Sequence, residues 1–196
     1  ILERGKAVEE REQDVKKFCE TGMLDPDSNV QFGEGGAGAF SDGKLNTQTN
    51  DTRNRDVLDT FVRFGAPEEV GYLGKPHVGS DNLKKVVANI RAHILRSGGE
   101  FRFCERLTDV RLHGGRLEAV ITTRGEIACD ALVLAVGHSA RDTFEMLLAR
   151  GFVMEQKEFA VGVRIEHLQT SLGRAQSGAG YAALPAADYK LVSHAS

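Results

Sequence analysis

The densest chemistry in this chain lies in a glycine-rich loop over residues 29–47, with glycines at 33, 35, 36, 38 and 43. A backbone without side chains can approach a flat or anionic ligand and aim its N–H groups at it. The same glycines would equally serve tight turns that need positive φ and nothing more. Within the loop, Gly38-Ala-Phe-Ser-Asp-Gly43-Lys44-Leu45 approaches the phosphate-binding pattern that ends in Gly-Lys followed by Ser or Thr. Leu45 has no hydroxyl to place on magnesium, and no buried-strand pattern precedes Gly35, so a nucleoside triphosphatase is set aside.

Glu3 stands in Ile1–Gly5, which reads as the last residues of a strand. In dinucleotide-binding folds an acidic residue there bonds the adenosine ribose, about 20 residues after a G-x-G-x-x-G turn. That turn is not in this sequence, and a strand-end acid can also be merely solvated. His138 and Arg141 follow an apolar run, at the carboxyl edge where open α/β sheets bind ligands. His138 is expected near a cofactor. Arg141 fits a phosphate, an acidic substrate, an ion pair with Asp142 or a domain contact, and Asp142 itself reads as a helix cap. Arg164 and Glu166 share one strand face and His167 the other, as a pocket lining or a solvated sheet face. His77 and His93 read as surface or packing residues. Cys19, Cys104 and Cys129 are far apart with no C-x-x-C, which argues against a zinc site, a disulfide framework or a redox pair. They are expected to be buried small hydrophobes in a reducing, cytoplasmic compartment.

These residues need a scaffold, and its elements follow from periodicity. Lys6 to Cys19 predicts a helix with Val8, Val15, Phe18 and Cys19 on its apolar side and a Glu12–Lys16 pair on its surface. A second helix runs from about Arg55 to Phe64, packing through Val57, Leu58, Phe61 and Val62. From Ser80 to Ser97 the pattern is clearest, with Leu83, Val86, Val87, Ile90 and Ile94 at helical spacing, Ser80 or Asp81 as cap and Gly98-Gly99 as stop. Glu100–Glu105 and Thr108–Leu112 read as extended. His113-Gly114-Gly115-Arg116 is a hairpin turn, because both central glycines can take positive φ. Leu117–Thr123 returns, and Arg124-Gly125 turns into Glu126–Cys129. The run Ala131-Leu-Val-Leu-Ala-Val136 predicts a strand buried on both faces of a sheet. Ser139-Ala-Arg-Asp142 has capping-box spacing for a helix through Phe144, Leu147 and Leu148 to Gly151. Beyond Gly151, Phe159–Glu166 reads as a strand of another sheet and the tail from Ser171 is rich in Gly, Ala and Ser. The expected organisation is 1–151 as one domain and 152–196 as the start of a second, with the whole sequence a truncated piece that opens late.

Composition sets the outer bounds. Of 196 residues, 27% are charged and 41% hydrophobic, with a net charge of -3. That balance predicts a globular chain and disfavours a nucleic-acid surface. No apolar run approaches the roughly 20 residues of a membrane span, and the start does not read as a signal peptide.

Three segments in order carry a resemblance: Leu2-Glu-Arg-Gly5, Gly33-Glu-Gly-Gly-Ala-Gly-Ala-Phe-Ser-Asp-Gly-Lys-Leu-Asn-Thr47 and Leu134-Ala-Val-Gly-His-Ser-Ala-Arg-Asp-Thr-Phe-Glu-Met146. Together they resemble the FAD-dependent dehydrogenases of bacteria and plastids, within the glutathione-reductase-like flavoproteins. Phe159–His167 and Ala187-Asp-Tyr-Lys190 look like that family's substrate-side domain. The resemblance implies an α/β fold: an incomplete FAD-binding Rossmann-like domain, with a parallel sheet and an antiparallel hairpin crossover. It implies that Glu3 holds the adenosine ribose with Arg4 beside it. Gly35, Gly36, Ala37 and Gly38, with Ser41, Asp42, Gly43, Lys44 and Leu45, would pass the pyrophosphate and flavin ring. Val110 would meet the adenine through its backbone. Ala135 and Gly137, beside His138, look like a second flavin fingerprint. The first strand and its glycine turn are what the pattern lacks. The implied activity is an oxidoreductase with non-covalent FAD, NAD(P)H as reductant and an acceptor that the residues do not name. The alternative is a flavin- or nucleotide-binding module that responds to redox state without turnover. A flavoprotein modifying RNA is disfavoured by the charge.

Overall fold

The computed structural model describes residues 1–41, 43, 45, 50–73, 78–157, 163 and 165–189. Chain contacts divide it into two compact units, Ile1–Val153 and Met154–Ser196. The architecture is mixed α/β, with helices outnumbering a small sheet.

The first unit begins with helix α1, Val8–Thr21. Val8, Arg11, Val15 and Phe18 recur at helical spacing, and within this stripe Val8 and Arg11 are the fully buried positions. Cys19 is exposed, and the expected Glu12–Lys16 pair is absent: Glu12 bonds Lys84 and Lys16 pairs with Glu20. Helix α2, Arg53–Arg63, and helix α3, Ser80–Arg96, form the principal apolar cluster. Leu58, Phe61 and Val62 of α2 meet Leu83 and Val86 of α3 around Val70 and Val78. Val57, expected on that face, is 52% exposed. Neither Ser80 nor Asp81 caps α3 through its side chain; Gly79 occupies the cap position and its carbonyl accepts from Leu83 N–H at 3.0 Å.

Strands β1 (Leu107–His113), β2 (Arg116–Thr122) and β3 (Gly125–Ala128) form an antiparallel sheet in sequence order. The turn is built on Gly114 at φ +55° and Gly115 at φ +78°, the left-handed geometry that two-residue hairpins require. Val110 faces Val120 across the register, both buried. Helix α4, Arg141–Ala149, follows and packs on β1.

Two expectations for this unit are corrected. Among the described residues the sheet is antiparallel throughout, and parallel pairing is confined to one bridge, Leu2 to Arg102. Ala131–Val136 is not a central buried strand: it joins no ladder, and Val133 is 90% exposed. An apolar run can specify a strand only where a partner strand receives it.

The second unit holds helix α5, Gln169–Ser177, and a 3-10 turn, Gly178–Ala183. Tyr181 lies over Gly173, where a Cβ would stand 2.8 Å from the ring. His167 bonds the Tyr189 hydroxyl. In the strand expected over 159–166, Phe159, Ala160, Val161, Gly162 and Arg164 lie outside the described residues, as do His77 and Lys190; Val163, Ile165 and Glu166 are in no strand. Among the described residues no helix is long and apolar enough to cross a membrane.

Candidate functional site

The strand end Ile1–Gly5 lies against residues 100–105. Glu3 N–H donates to the Arg102 carbonyl at 3.0 Å, and Arg102 N–H to the Ile1 carbonyl at 2.9 Å. On its other flank comes the glycine loop. Gly5 and Gly33 approach so closely that a Cβ on Gly5 would sit 2.6 Å from Gly33 Cα. Gly33, at φ +113°, has no room either, since its own Cβ would fall 2.4 Å from Arg11 Cδ. Here glycine is required by a backbone-on-backbone contact.

Glu3 staples this contact. Its Oε1 accepts from Gly5 N–H at 2.9 Å and from Gly33 N–H at 3.1 Å. Its Oε2 accepts no bond among the described residues. Arg4 stacks its guanidinium 4.4 Å from the Phe32 ring centroid and donates to Asp142 Oδ2 at 2.6 Å. Asp142 therefore does not cap α4 as expected; it joins the helix start to the strand end, with Arg106 3.9 Å away. Burial raises the Asp142 carboxyl, but the Arg4 bond and charge, the Thr143 N–H and Arg106 together hold it below its ordinary value.

Behind the loop sits a charge that sequence reasoning missed. Arg11 is completely buried, and its Nε and Nη1 donate to the carbonyls of Asn29 and Glu34 at 2.7 Å each. Phe40 covers it at 4.6 Å. Burial drives its pKa down to about 10 against the restoring charges of Glu3 and Glu34. Glu34, also buried, accepts from Val8 N–H at 2.9 Å and Arg91 Nη1 at 2.8 Å. Burial nonetheless raises its carboxyl above the usual range. Arg11 Nη2 and Glu34 Oε1 are buried without a partner among the described residues. Arg11 was detectable as a cation on the apolar stripe of α1, three residues after Val8 and four before Val15.

Between the strand end, the loop and residues 131–140 lies a cleft of about 930 Å³. Its lining includes Glu3, Arg4, Gly35, Gly36 and Ala37 from the first two segments. Ala135, Gly137 and His138 enter from the third. The other expected site residues lie elsewhere. Gly38 abuts Leu83 of α3, Ser41 is exposed, Gly43 backs onto Gly79, and Leu45 packs on the α2–α3 cluster. Val110 is buried in β1, outside the cleft lining. Asp42 and Lys44 lie outside the described residues. Arg141 is exposed at the start of α4, and Asp142 is paired with Arg4 rather than with it. Cys104 is exposed and Cys129 half-buried on the cleft wall, so the cysteines are not core hydrophobes. Among the described residues no group of His, Cys, Asp and Glu could hold a metal ion.

No family model matches the chain. It is 50% identical over 193 residues, 97% of its length, to an uncharacterized protein of Clostridium beijerinckii. The chain spans 36% of that protein's length.

Proposed function

We propose that the cleft is the FAD site of a flavin-dependent oxidoreductase. One observation carries the reading: Glu3, Gly35–Ala37 and Ala135–His138, far apart in sequence, line a single cleft. The residues fit such a ligand. Glu3 Oε1 holds the loop, while Oε2 remains to accept from a ribose hydroxyl. A Cβ on Gly36 or on Gly137 would meet nothing within 4 Å, so both present bare backbone to the cleft. Arg4, fixed by Phe32 and Asp142, supplies positive charge beside the ribose position.

When bound, FAD supplies hydride and electron chemistry between a reductant such as NAD(P)H and an acceptor. The chain's contribution is placement. Arg11 binds the loop carbonyls of Asn29 and Glu34, Glu3 fixes the loop to the strand, and the Arg4–Asp142 bond ties both to α4. The second reading is flavin or nucleotide binding without turnover. What favours it is that the buried charges, Arg11 and Glu34, serve the loop and stand outside the cleft lining.

The test uses the purified full-length protein. Its visible spectrum should show bound flavin, and NADH or NADPH without oxygen should bleach it. A colourless protein overturns the flavin reading; a yellow one that neither reductant bleaches selects the binding module. Glu3→Gln keeps an acceptor for Gly5 and Gly33 while removing the charge offered to the ribose. Losing a charge-assisted hydrogen bond of about 1.5–3 kcal/mol weakens FAD binding about ten- to a hundredfold. Unchanged affinity removes Glu3 from the site.

A further inference from the structure

Behind the glycine loop, two charged side chains are buried with one polar atom of each left over. Arg11 is fully buried and Glu34 is 7% exposed. Arg11 Nη2, a donor, and Glu34 Oε1, an acceptor, find no partner among the described residues. Folded chains rarely leave such atoms unpaired, and a charged group pays most for it.

The remaining contacts of the two side chains fix where these atoms lie. Helix α1 starts without a side-chain cap on Ala7, and Glu34 Oε2 supplies the acceptor for Val8 N–H at 2.9 Å. Within the same turn of α1, Arg11 Nη1 donates to the carbonyl of Glu34 itself at 2.7 Å. Val8 and Arg11 are separated by a rise of about 4.5 Å, so the spare oxygen and the spare nitrogen belong to groups held within one turn of each other. No ion pair joins them among the described residues; Glu34 pairs with Arg91 instead. Two hydrogen bonds of about 2.8 Å through a single atom span up to about 5.6 Å. Gly33 and the Phe40 ring lie against Arg11 and close it off from solvent.

Charge and bonding select the occupant. It must accept from Nη2 and donate to Oε1. A cation would face Arg11, and an anion would face Glu34 with Glu3 and Glu9 acting alongside it. A proton on Glu34 would turn Oε1 into a donor and still leave Nη2 unpaired. One water meets both demands, and immobilising it costs less than leaving either charged group unpaired.

We propose that Arg11 Nη2 and Glu34 Oε1 hold one internal water between the first turn of α1 and the glycine loop. Arg91 Nη1 donates to Glu34 Oε2 at 2.8 Å. The chain Arg11–water–Glu34–Arg91 therefore joins α1, the loop and α3 at the residue between Gly33 and Gly35. Neither Arg11 nor Glu34 lines the cleft, so the water site stands whether or not the cleft holds a flavin.

Crystals of the full-length protein, at a resolution where ordered waters are seen, test this directly. An isolated peak should lie within about 2.6–3.2 Å of both Arg11 Nη2 and Glu34 Oε1. No peak, a peak bonded to one of the two atoms alone, or a direct contact between them overturns the proposal. A peak that anomalous scattering identifies as chloride or a metal ion overturns it too. In solution, oxygen-17 relaxation dispersion should count one long-lived water fewer in Glu34→Met than in the parent, and an unchanged count also overturns it. Where Glu34→Met does not fold, the peak in the parent decides alone.

Discussion

Replacing Gly5 by Ala perturbs the contact on which the cleft depends. The new Cβ would stand 2.6 Å from Gly33 Cα and 2.7 Å from both Gly33 N and Asp27 O, all backbone atoms. Carbon contacts settle at about 3.5–4.0 Å, so strand and loop must part by about 1 Å. That movement breaks the 3.1 Å bond from Gly33 N–H to Glu3 and strains the 3.0 Å bond from Glu34 N–H to the Lys6 carbonyl. Losing a hydrogen bond to a charged group costs about 1.5–3 kcal/mol, and overpacking about 1–3 kcal/mol. Together they amount to about 2.5–6 kcal/mol, which for a unit of this size lowers Tm by about 5–24 °C. Gly71→Ala is the matched control: its φ is not positive and its nearest new contact is 3.8 Å, so it should stay within about 0.5 kcal/mol of the parent. Thermal unfolding followed by far-ultraviolet circular dichroism reads both. A Gly5→Ala protein melting within about 2 °C of Gly71→Ala would refute the close packing of strand and loop.

Glu34→Gln should change how stability depends on pH. Burial places the Glu34 carboxyl above its ordinary value despite the Val8 N–H and Arg91. Its stabilising contribution is therefore fully present below the unfolded value of about 4.3 and is lost as pH rises through the higher folded value. The stability of the parent relative to Glu34→Gln should fall across that window in urea titrations, and a pH-independent difference would count against the buried carboxyl. Thiol labelling of the native chain should modify Cys19 and Cys104 quickly and Cys129 more slowly. Equal rates at all three would contradict the cleft wall as described.

What was legible in the sequence was local. Helix α3 was visible because Leu83, Val86, Val87 and Ile90 repeat at helical spacing. The hairpin was visible because Gly114-Gly115 dictates its own turn. The cleft's composition was partly legible too, since Glu3, Gly35, Gly36 and His138 stood out by type and position, while Ala37 followed only from the resemblance. Failures came from partners distant in sequence. Asp142 has the spacing of a cap, but Arg4, 138 positions away, takes its carboxylate. Arg11 bonds carbonyls 18 and 23 residues on, and no periodicity announces them. The run 131–136 has the composition of a buried strand, yet burial depends on a neighbour that composition cannot supply.

The bridge between Leu2 and Arg102 also sets an order of events. A contact spanning about a hundred residues closes slowly, because the entropy of so long a loop is lost before the contact rewards it. During synthesis at about 5–20 residues per second, the residues around Glu3 must wait about 5–20 seconds before Arg102 exists to receive them. Until then Gly5 has its loop partner Gly33 but no strand beside it. The first unit can therefore close only after its third helix is complete, and the interval exposes Leu2 and the glycine loop to chaperones and proteases.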